Sequence, residues 1–245
     1  MTKHIKTIAA IIPLACVALS GIEAAGPVDI VLDMNSLPSA QGWVFSGDPG
    51  AVETDVFSVS GGMLHQNSIG IGTSTTGTQG LAAYALLGVV DPALPFVLTT
   101  RVRVNQEEFT AANPTNAFGF GAGLRTTADI FQFGLGADRL EVDHGALRPI
   151  YLGDTTAQFH DYRLESAGGI NFSLYVDGSL IDTGPAHVLA TVNELLLGDF
   201  TRGPNVNADI ASFEFHQVPE PSTCAILGLG LPAFLAARRR RSAQA

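Results

Sequence analysis

Between residues 26 and 217 the chain places apolar side chains at every second position, in short segments separated by turn-forming residues. A period of two puts successive side chains on opposite faces of a strand, so the pattern predicts half-buried β-strands. The apolar faces of three such segments are formed by Phe96, Leu98, Val102 and Val104, by Phe172, Leu174 and Val176, and by Ala211, Phe213 and Phe215. Many short strands, broken by Gly, Pro, Asn and Asp and without a sustained helical period, predict a two-sheet sandwich.

The N-terminus has the pattern of a secretory signal peptide, which we expect to be helical. Lys3 and Lys6 supply its basic region, residues 8–19 its apolar region, and residues 22–25 a cleavage site. A second interpretation takes Cys16 as the acylated residue of a lipoprotein signal. The apolar stretch before Cys16 is very short for that role.

The C-terminal tail combines three features in a fixed order. Pro219-Glu220-Pro221 comes first, and because proline fixes φ we expect this strip to be extended and accessible. Residues 223–237 follow; they are apolar but number only 15, fewer than the roughly 20 that a membrane-spanning helix needs. The tail then presents four positive charges, which the positive-inside rule keeps on the cytoplasmic side, leaving the domain outside. These charges are Arg238, Arg239, Arg240 and Arg241.

The three features together resemble the PEP-CTERM sorting signal of Gram-negative bacteria that make exopolysaccharide. The resemblance covers about the last tenth of the chain. It implies export across the inner membrane, transient anchoring through a C-terminal hydrophobic helix, and cutting near Pro219-Glu220-Pro221 by an exosortase, a membrane-embedded cysteine peptidase or transpeptidase. The expected partners are therefore the exosortase and the export machinery, and the expected destination is the cell surface or the extracellular matrix of a biofilm. The alternative is a plain C-terminal anchor, against which Pro232 and the short apolar run both argue.

The chain thus divides into a signal peptide at 1–25, a sandwich domain at 26–217 and a sorting and anchor tail at 218–245. Both cysteines, Cys16 and Cys224, fall in the terminal segments, so the domain has no thiol for a disulfide, a nucleophile or a metal site. The domain carries 7 basic and 21 acidic side chains, a net charge of −14. This balance disfavours nucleic acid and anionic lipid as partners, and it suits solubility, calcium or neutral glycans.

The last third of the domain contains two segments with a recognisable order of strands and turns. Residues 159–184 read FHDYRLESAGGINFSLYVDGSLIDTG, a strand followed by a hairpin that turns at Asp177-Gly178. Residues 193–215 read NELLLGDFTRGPNVNADIASFEF, a glycine-aspartate loop leading into a final strand. Together they are similar to the concanavalin A-like lectin and glucanase sandwich, in its LamG-like branch. The expected fold is therefore all-β, a two-sheet antiparallel jelly-roll sandwich (concanavalin A-like) between the N-terminal signal helix and the C-terminal hydrophobic helix.

Two neighbouring strands predict a hairpin with a bare strip on one face. If Phe120 pairs with Leu135, then Gly121 pairs with Gly134, because pairing fixes both faces of a strand. Such a cluster indicates close approach of a ligand or of another part of the chain. The strip is either the floor of a shallow glycan groove or a bed on which a loop or an aromatic ring packs. Its members are Gly119, Gly121, Gly123, Gly134 and Gly136.

Glu141-Val142-Asp143 resembles the start of the family-16 glucanase motif, in which three carboxylates line one strand face. Retaining glycoside hydrolysis needs a nucleophile and a separate acid/base carboxyl about 5–5.5 Å away. The position of the third acid is Gly145, and His144-Gly145 predicts a turn. We therefore expect the acidic pair to be a solvated face and the protein not to be an enzyme.

The segment 198–209 is rich in oxygen donors and has two interpretations. Calcium takes six to eight oxygen ligands, and the segment offers four side chains of that kind. The spacing is not that of an EF-hand, and the same residue types are common in ordinary turns. The candidate calcium ligands are Asp199, Asn205, Asn207 and Asp209.

These observations lead to three hypotheses for the exported domain. The first is a lectin-like module that binds exopolysaccharide or a surface glycan, with calcium as the only candidate cofactor. The second is a structural component of the extracellular matrix with no specific ligand. The third, a glycoside hydrolase, lacks its third carboxylate.

Overall fold

A computed structural model describes residues 27–48, 51–71, 81–91, 94–108, 118–145, 147–150, 152–188, 192–201 and 204–217. The signal helix, the hydrophobic helix, the PEP strip and the four arginines lie outside these residues. Within them, no helix is long and apolar enough to cross a membrane. The described helices are a 3₁₀ turn at Pro38–Gln41 and a single α-turn at Glu53–Val56.

Sixteen strands make up nearly all the regular structure of the described residues. They are β1 (Val28–Val31), β2 (Val44–Gly47), β3 (Phe57–Ser60), β4 (Met63–Asn67), β5 (Ala82–Leu87), β6 (Phe96–Glu108), β7 (Phe120–Arg125), β8 (Asp129–Leu135), β9 (Leu140–Asp143), β10 (Leu147–Ile150), β11 (His160–Ser166), β12 (Asn171–Val176), β13 (Ser179–Pro185), β14 (His187–Val188), β15 (Glu194–Asp199) and β16 (Asn205–Gln217).

The strands form two antiparallel sheets. The first, called here the β6 sheet, has the order β13-β12-β11-β6-β16-β4-β3, with β1 pairing the far end of β16. The second, called the β7 sheet, has the order β10-β9-β8-β7-β15-β5-β2, with β14 pairing β8. Neighbours that are distant in sequence, such as β6 beside β16, give the two-sheet jelly-roll sandwich that the sequence predicts.

The two sheets share one hydrophobic core built from their inward-facing side chains. Aromatic pairs join the sheets directly: Phe96 packs edge-on against Phe131 with ring centroids 5.2 Å apart, and Tyr162 stacks on Phe133 at 5.4 Å. Each of these four side chains is at most 4% exposed. Ring pairs of this geometry add about 0.5–1.5 kcal/mol each beyond the area that they bury.

The hairpin that the glycine pattern predicts is confirmed in its register. β7 and β8 pair Phe120 with Leu135 and Gly121 with Gly134. The predicted turn after β12 is confirmed as well, because Asp177 and Gly178 both adopt positive φ, as a two-residue hairpin turn requires.

The predicted face of Ala211 is wrong. The alternation places Ala211 on the same face as Phe213, but Ile210 and Phe213 are the buried residues and Ala211 is only half-buried. The register of β16 against β6 shifts between Ile210 and Ser212. A β-bulge of this kind adds one residue to a strand and resets which side chains face inward.

Candidate functional site

The five predicted groove glycines are buried beneath other parts of the chain. A Cβ on Gly121 or Gly134 would collide with the ring of Phe118, and at Gly121 also with Phe200. Phe118 is itself fully buried and packs edge-on against Phe200, with ring centroids 5.2 Å apart. The strip is therefore filled by aromatic side chains from the chain itself.

The ends of the strip are closed by other groups. Gly119 lies against Pro204 and Val206, and Gly136 lies against the Arg139 guanidinium. Gly123 has no room for a side chain beside its neighbouring strand. The assignment of the five glycines to an open glycan groove is therefore corrected. The strip is instead a bed on which side chains of the chain itself pack.

A pocket of about 190 Å³ lies beside the strip, on the outer face of the β7 sheet. Ala83, Ala85 and Leu196 form its floor, since they alternate with core residues along β5 and β15. The half-buried ring of Phe200 forms one wall. Small floor residues let a ligand approach the sheet closely, and the ring offers a flat apolar surface.

Arg125 and Glu194 place charge at the edge of this pocket. They stand opposite each other on β7 and β15, and Arg125 Nη1 donates to Glu194 Oε1 at 3.3 Å. The Arg125 guanidinium also lies 5.9 Å from the centroid of the Phe200 ring. Arg125 Nε is buried and donates to no acceptor among the described residues. The pocket thus combines an aromatic wall with a few fixed polar groups, the usual make-up of a small-ligand site.

Sequence reasoning missed this pocket because its parts come from four separate strands and a loop. Phe200 directly follows β15, and Arg125 ends β7. The one signal in the sequence is the aromatic residue at each approach to the strip, Phe118 before Gly119 and Phe200 after Asp199.

The acidic pair of β9 is engaged with structural partners. Glu141 is fully buried and accepts a hydrogen bond from Arg139 Nε at 3.0 Å, while Arg139 also pairs with Glu107. Burial opposes the Arg139 charge, but the hydrogen bonds to Glu107 and Glu141 outweigh it and raise the pKa of Arg139. The predicted solvated face is therefore wrong for Glu141, which belongs to a buried ion cluster.

Asp143 is similarly enclosed. It accepts a hydrogen bond from Gln132 Nε2 at 2.9 Å and lies 3.1 Å from His187 Nδ1. Its exposed fraction is 5%, so it too departs from the predicted solvated face. Gly145, at the position of the missing third acid, adopts φ +95° in the turn after β9, where the sequence predicts a turn.

The four candidate calcium ligands do not converge. Asp209 lies on the outer face of the β6 sheet, where Arg103 Nη2 contacts it at 2.6 Å and His65 Nδ1 at 2.7 Å. The Asn207 side-chain oxygen accepts a hydrogen bond from Asn105. Among the described residues, no group of three His, Cys, Asp or Glu side chains is arranged to hold a metal ion. The assignment of these four residues to one calcium site is corrected, because they do not converge and the Arg103 guanidinium already neutralises Asp209.

Asp199 and Asn205 are instead buried near Ser68. Ser68 Oγ donates to Asp199 Oδ2 at 2.9 Å, and Asn205 Nδ2 donates to the Ile71 carbonyl at 2.9 Å. Burial raises the pKa of Asp199 well above its ordinary value, although the Ser68 hydrogen bond opposes this shift. Asp199 is therefore a buried carboxyl whose protonated form is favoured more than that of an exposed aspartate.

The comparisons with known proteins support the tail and the fold. Residues 217–241 match the PEP-CTERM protein-sorting motif, which confirms the interpretation of the tail. The chain is thus an exported protein, anchored at its C-terminus before cleavage and processed by an exosortase. Among curated protein sequences, none matches the chain significantly.

Two solved structures show the relationship of the fold. β-Agarase A from Zobellia galactanivorans aligns with a TM-score of 0.52 and 8% identity, over 79% of this chain and 94% of the agarase. An endo-β-1,3-glucanase from Pyrococcus furiosus aligns with a TM-score of 0.50 and 12% identity, over 77% of this chain and 93% of the glucanase. The sandwich therefore has the concanavalin A-like jelly-roll fold.

Proposed function

We propose that the exported sandwich binds an exopolysaccharide or a cell-surface glycan in the pocket beside Phe200, without cleaving it. The observation that carries this proposal is the combination of a half-buried aromatic wall with a floor of alanines on the outer face of the β7 sheet. Sugar rings present flat apolar patches and many hydroxyls, which match a ring and a few fixed polar groups. Arg125 and Glu194 would supply donors and acceptors for those hydroxyls.

Two further points favour a neutral or weakly charged glycan as the ligand. The domain has a net charge of −14, so a strongly anionic polymer would be repelled over most of its surface. The two structural neighbours are named as an agarase and a glucanase, and that class of polymer is the first to test. Glu141 and Asp143 have no catalytic role in this function, because they are buried and bonded to Arg139 and Gln132.

The test is glycan binding by the purified full-length protein, measured on a glycan array and by titration calorimetry with the producer's own polysaccharide. Phe200→Ala should weaken binding about tenfold or more, a loss of ~1.4 kcal/mol. Phe159→Ala is the matched control, because its ring also lies under an arginine, Arg103, at 4.8 Å, but near the other sheet. Unchanged binding by Phe200→Ala, in a protein that melts normally, would reject the pocket.

Calcium supplies a second comparison in the same experiment. Since the four candidate ligands do not converge, we expect binding to be equal with calcium and with a chelator. Loss of binding in the chelator would restore a role for calcium.

The second candidate is a structural matrix component without a specific ligand. The filled glycine strip favours it, because the ring of Phe118 occupies the space above Gly121 and Gly134 that a ligand would otherwise enter. Absence of binding to every glycan tested, including the producer's polysaccharide, would select this candidate.

A further inference from the structure

Three polar side chains on the outer face of the β6 sheet form a hydrogen-bonded row. Ser60 Oγ lies 2.8 Å from His65 Nε2, and His65 Nδ1 lies 2.7 Å from Asp209 Oδ1. The register places them there: His65 of β4 stands directly opposite Asp209 of β16, and Ser60 ends β3 diagonally across from His65. Strands that are distant in sequence therefore meet at one imidazole.

The order of atoms in this row is that of an activated serine. When the Nδ1 proton is donated to a carboxylate, the lone pair of Nε2 faces the hydroxyl and can take its proton. His65 Nε2 also lies 3.3 Å from the Ser60 carbonyl oxygen, so the hydroxyl is the closer of the two contacts. The His65 side chain is 27% exposed, which leaves its edge open to a ligand.

Asp209 is held in the ionised form that this role needs. Its side chain is only 9% exposed, and burial by itself raises its pKa. The hydrogen bonds from Arg103 and His65 outweigh burial, so the pKa of Asp209 lies below its ordinary value. Arg103 thereby fixes the position of the carboxylate and balances its charge.

The two residues that follow Ser60 in the chain form a turn and carry backbone N–H groups. Gly61 and Gly62 adopt φ +59° and +74°, the geometry of a two-residue hairpin turn. Among the backbone hydrogen bonds of the described residues, neither glycine amide has an acceptor. An N–H that directly follows a nucleophile is a common donor to the oxyanion of a tetrahedral intermediate.

The row opens into a cavity of about 530 Å³. Its lining is mostly polar and includes Thr54, Asn67 and Asn207. The apolar members, Val56 and Phe57, are at most 2% exposed and offer little surface to an acyl chain. The cavity therefore fits a short acyl group on a hydroxyl-rich alcohol.

We propose that Ser60, His65 and Asp209 form a second site, which hydrolyses short-chain esters of polar alcohols. Ser60 Oγ bonds to the ester carbonyl carbon while its proton passes to His65 Nε2. The carbon–oxygen bond to the alcohol then breaks, and His65 returns the proton to the departing alcohol. Water, deprotonated by His65, attacks the acyl-serine, releases the carboxylic acid and restores Ser60. This proposal departs from the expectation, drawn from the sequence, that the protein is not an enzyme. The site lies on the β6 sheet, and the proposal does not depend on glycan binding at the β7 sheet.

The first test is hydrolysis of p-nitrophenyl acetate and p-nitrophenyl octanoate by the purified full-length protein. We expect turnover of the acetate in preference to the octanoate. Ser60→Ala should lower the rate about 100-fold or more, because it removes the nucleophile. Ser173→Ala is the matched control: Ser173 lies on β12 of the same sheet, but its hydroxyl donates to Thr183 and it does not line the cavity. Equal rates for wild type and Ser60→Ala would overturn the proposal.

The second test locates the reactive serine in the wild-type protein itself. A fluorophosphonate probe phosphonylates activated serines with loss of fluoride, and peptide mass spectrometry of the labelled wild-type protein locates the adduct. We expect labelling at Ser60, and its loss in His65→Gln, which keeps a polar side chain but no base. Labelling that is absent, or that is spread over many surface serines, would show that the row is only a structural hydrogen-bond network.

Discussion

The ring of Phe118 occupies the space directly above Gly134, where any side chain larger than hydrogen would stand. Phe118 precedes β7, and Gly134 lies within β8. The contact ties the segment before β7 to the outer face of the β7 sheet, and it explains why the strip there is made of glycine.

Replacing Gly134 by Ala should destabilise the domain by about 1–3 kcal/mol, the usual cost of overpacking a well-filled site. The measurement is chemical denaturation of wild type, Gly134→Ala, Phe118→Ala and the double variant. In the Phe118→Ala background the added methyl has room, so its cost should fall close to zero. The same cost in both backgrounds would show that Phe118 is not what excludes a side chain at Gly134.

The buried cluster of Arg139, Glu107 and Glu141 should be sensitive to loss of its cation. Arg139→Met leaves two carboxylates without their partner in a buried place, where such a loss costs about 3–5 kcal/mol. Arg101→Met is the control, because Arg101 and Asp161 form a pair that is 49% and 62% exposed. Pairs of that kind contribute about 0–1 kcal/mol. Equal losses in the two variants would contradict the assignment of a buried cluster.

Asp199 should make the protein less stable as pH rises. The folded state raises the pKa of this carboxyl above its ordinary value of 3.8, so between the two values the folded state holds the proton more tightly. The contribution of Asp199 to the free energy of unfolding is thus fully present below pH 3.8 and declines as pH rises above that value. Asp199→Asn should melt higher than wild type at pH 7, by about 2–4 °C per kcal/mol, and the difference should vanish near pH 4.

Asp154→Asn should show the opposite dependence of stability on pH, and it serves as the control for Asp199→Asn. The hydrogen bonds from Thr156 lower the pKa of Asp154, which is fully exposed. Its contribution is therefore present at neutral pH and is lost as pH falls. A loss of stability in Asp199→Asn that is the same at pH 4 and pH 7 would contradict a raised pKa at Asp199.

The sorting motif predicts the fate of the C-terminus. Changing Pro219, Glu220 and Pro221 together to Ala should block cleavage in the native host, so that a longer chain stays in the membrane fraction. Changing residues 242–244 to Ala or Gly, beyond the matched segment, is the control and should leave processing intact. The measurement is immunoblotting of membrane and extracellular fractions, and normal release of the Pro219, Glu220 and Pro221 variant would exclude processing at the motif.

Local alternation was sufficient to predict strand faces wherever pairing was regular. It gave the register of the β7–β8 hairpin and the inward residues of β6 and β12, because each depends on neighbours in sequence. It failed at Ala211, since the bulge in β16 is set by pairing with β6 across the sheet. A bulge changes the face of a residue without changing the composition around it.

The candidate sites could not be predicted from local sequence patterns either, because they depend on pairing between distant strands. His65 and Asp209 are 144 positions apart in the chain, and only the adjacency of β4 and β16 brings them within a hydrogen bond. The glycine strip was visible in the sequence, but the ring that covers it was not, since alternation specifies a face and not what packs on that face. From the sequence alone, Ser60-Gly61-Gly62 indicates only a hairpin turn, because nothing near it shows that His65 contacts the Ser60 hydroxyl.

The position of β16 has a mechanical consequence. Its last residue, Gln217, is paired with Val28 of β1 on one side and with Phe96 of β6 on the other, and the sorting motif begins at that same residue. A pull on Gln217 along the strand axis would load the hydrogen bonds to both neighbours in parallel, instead of opening them one after another. The fold thus attaches its processed end to a strand clamped on two sides, a connection suited to bearing tension.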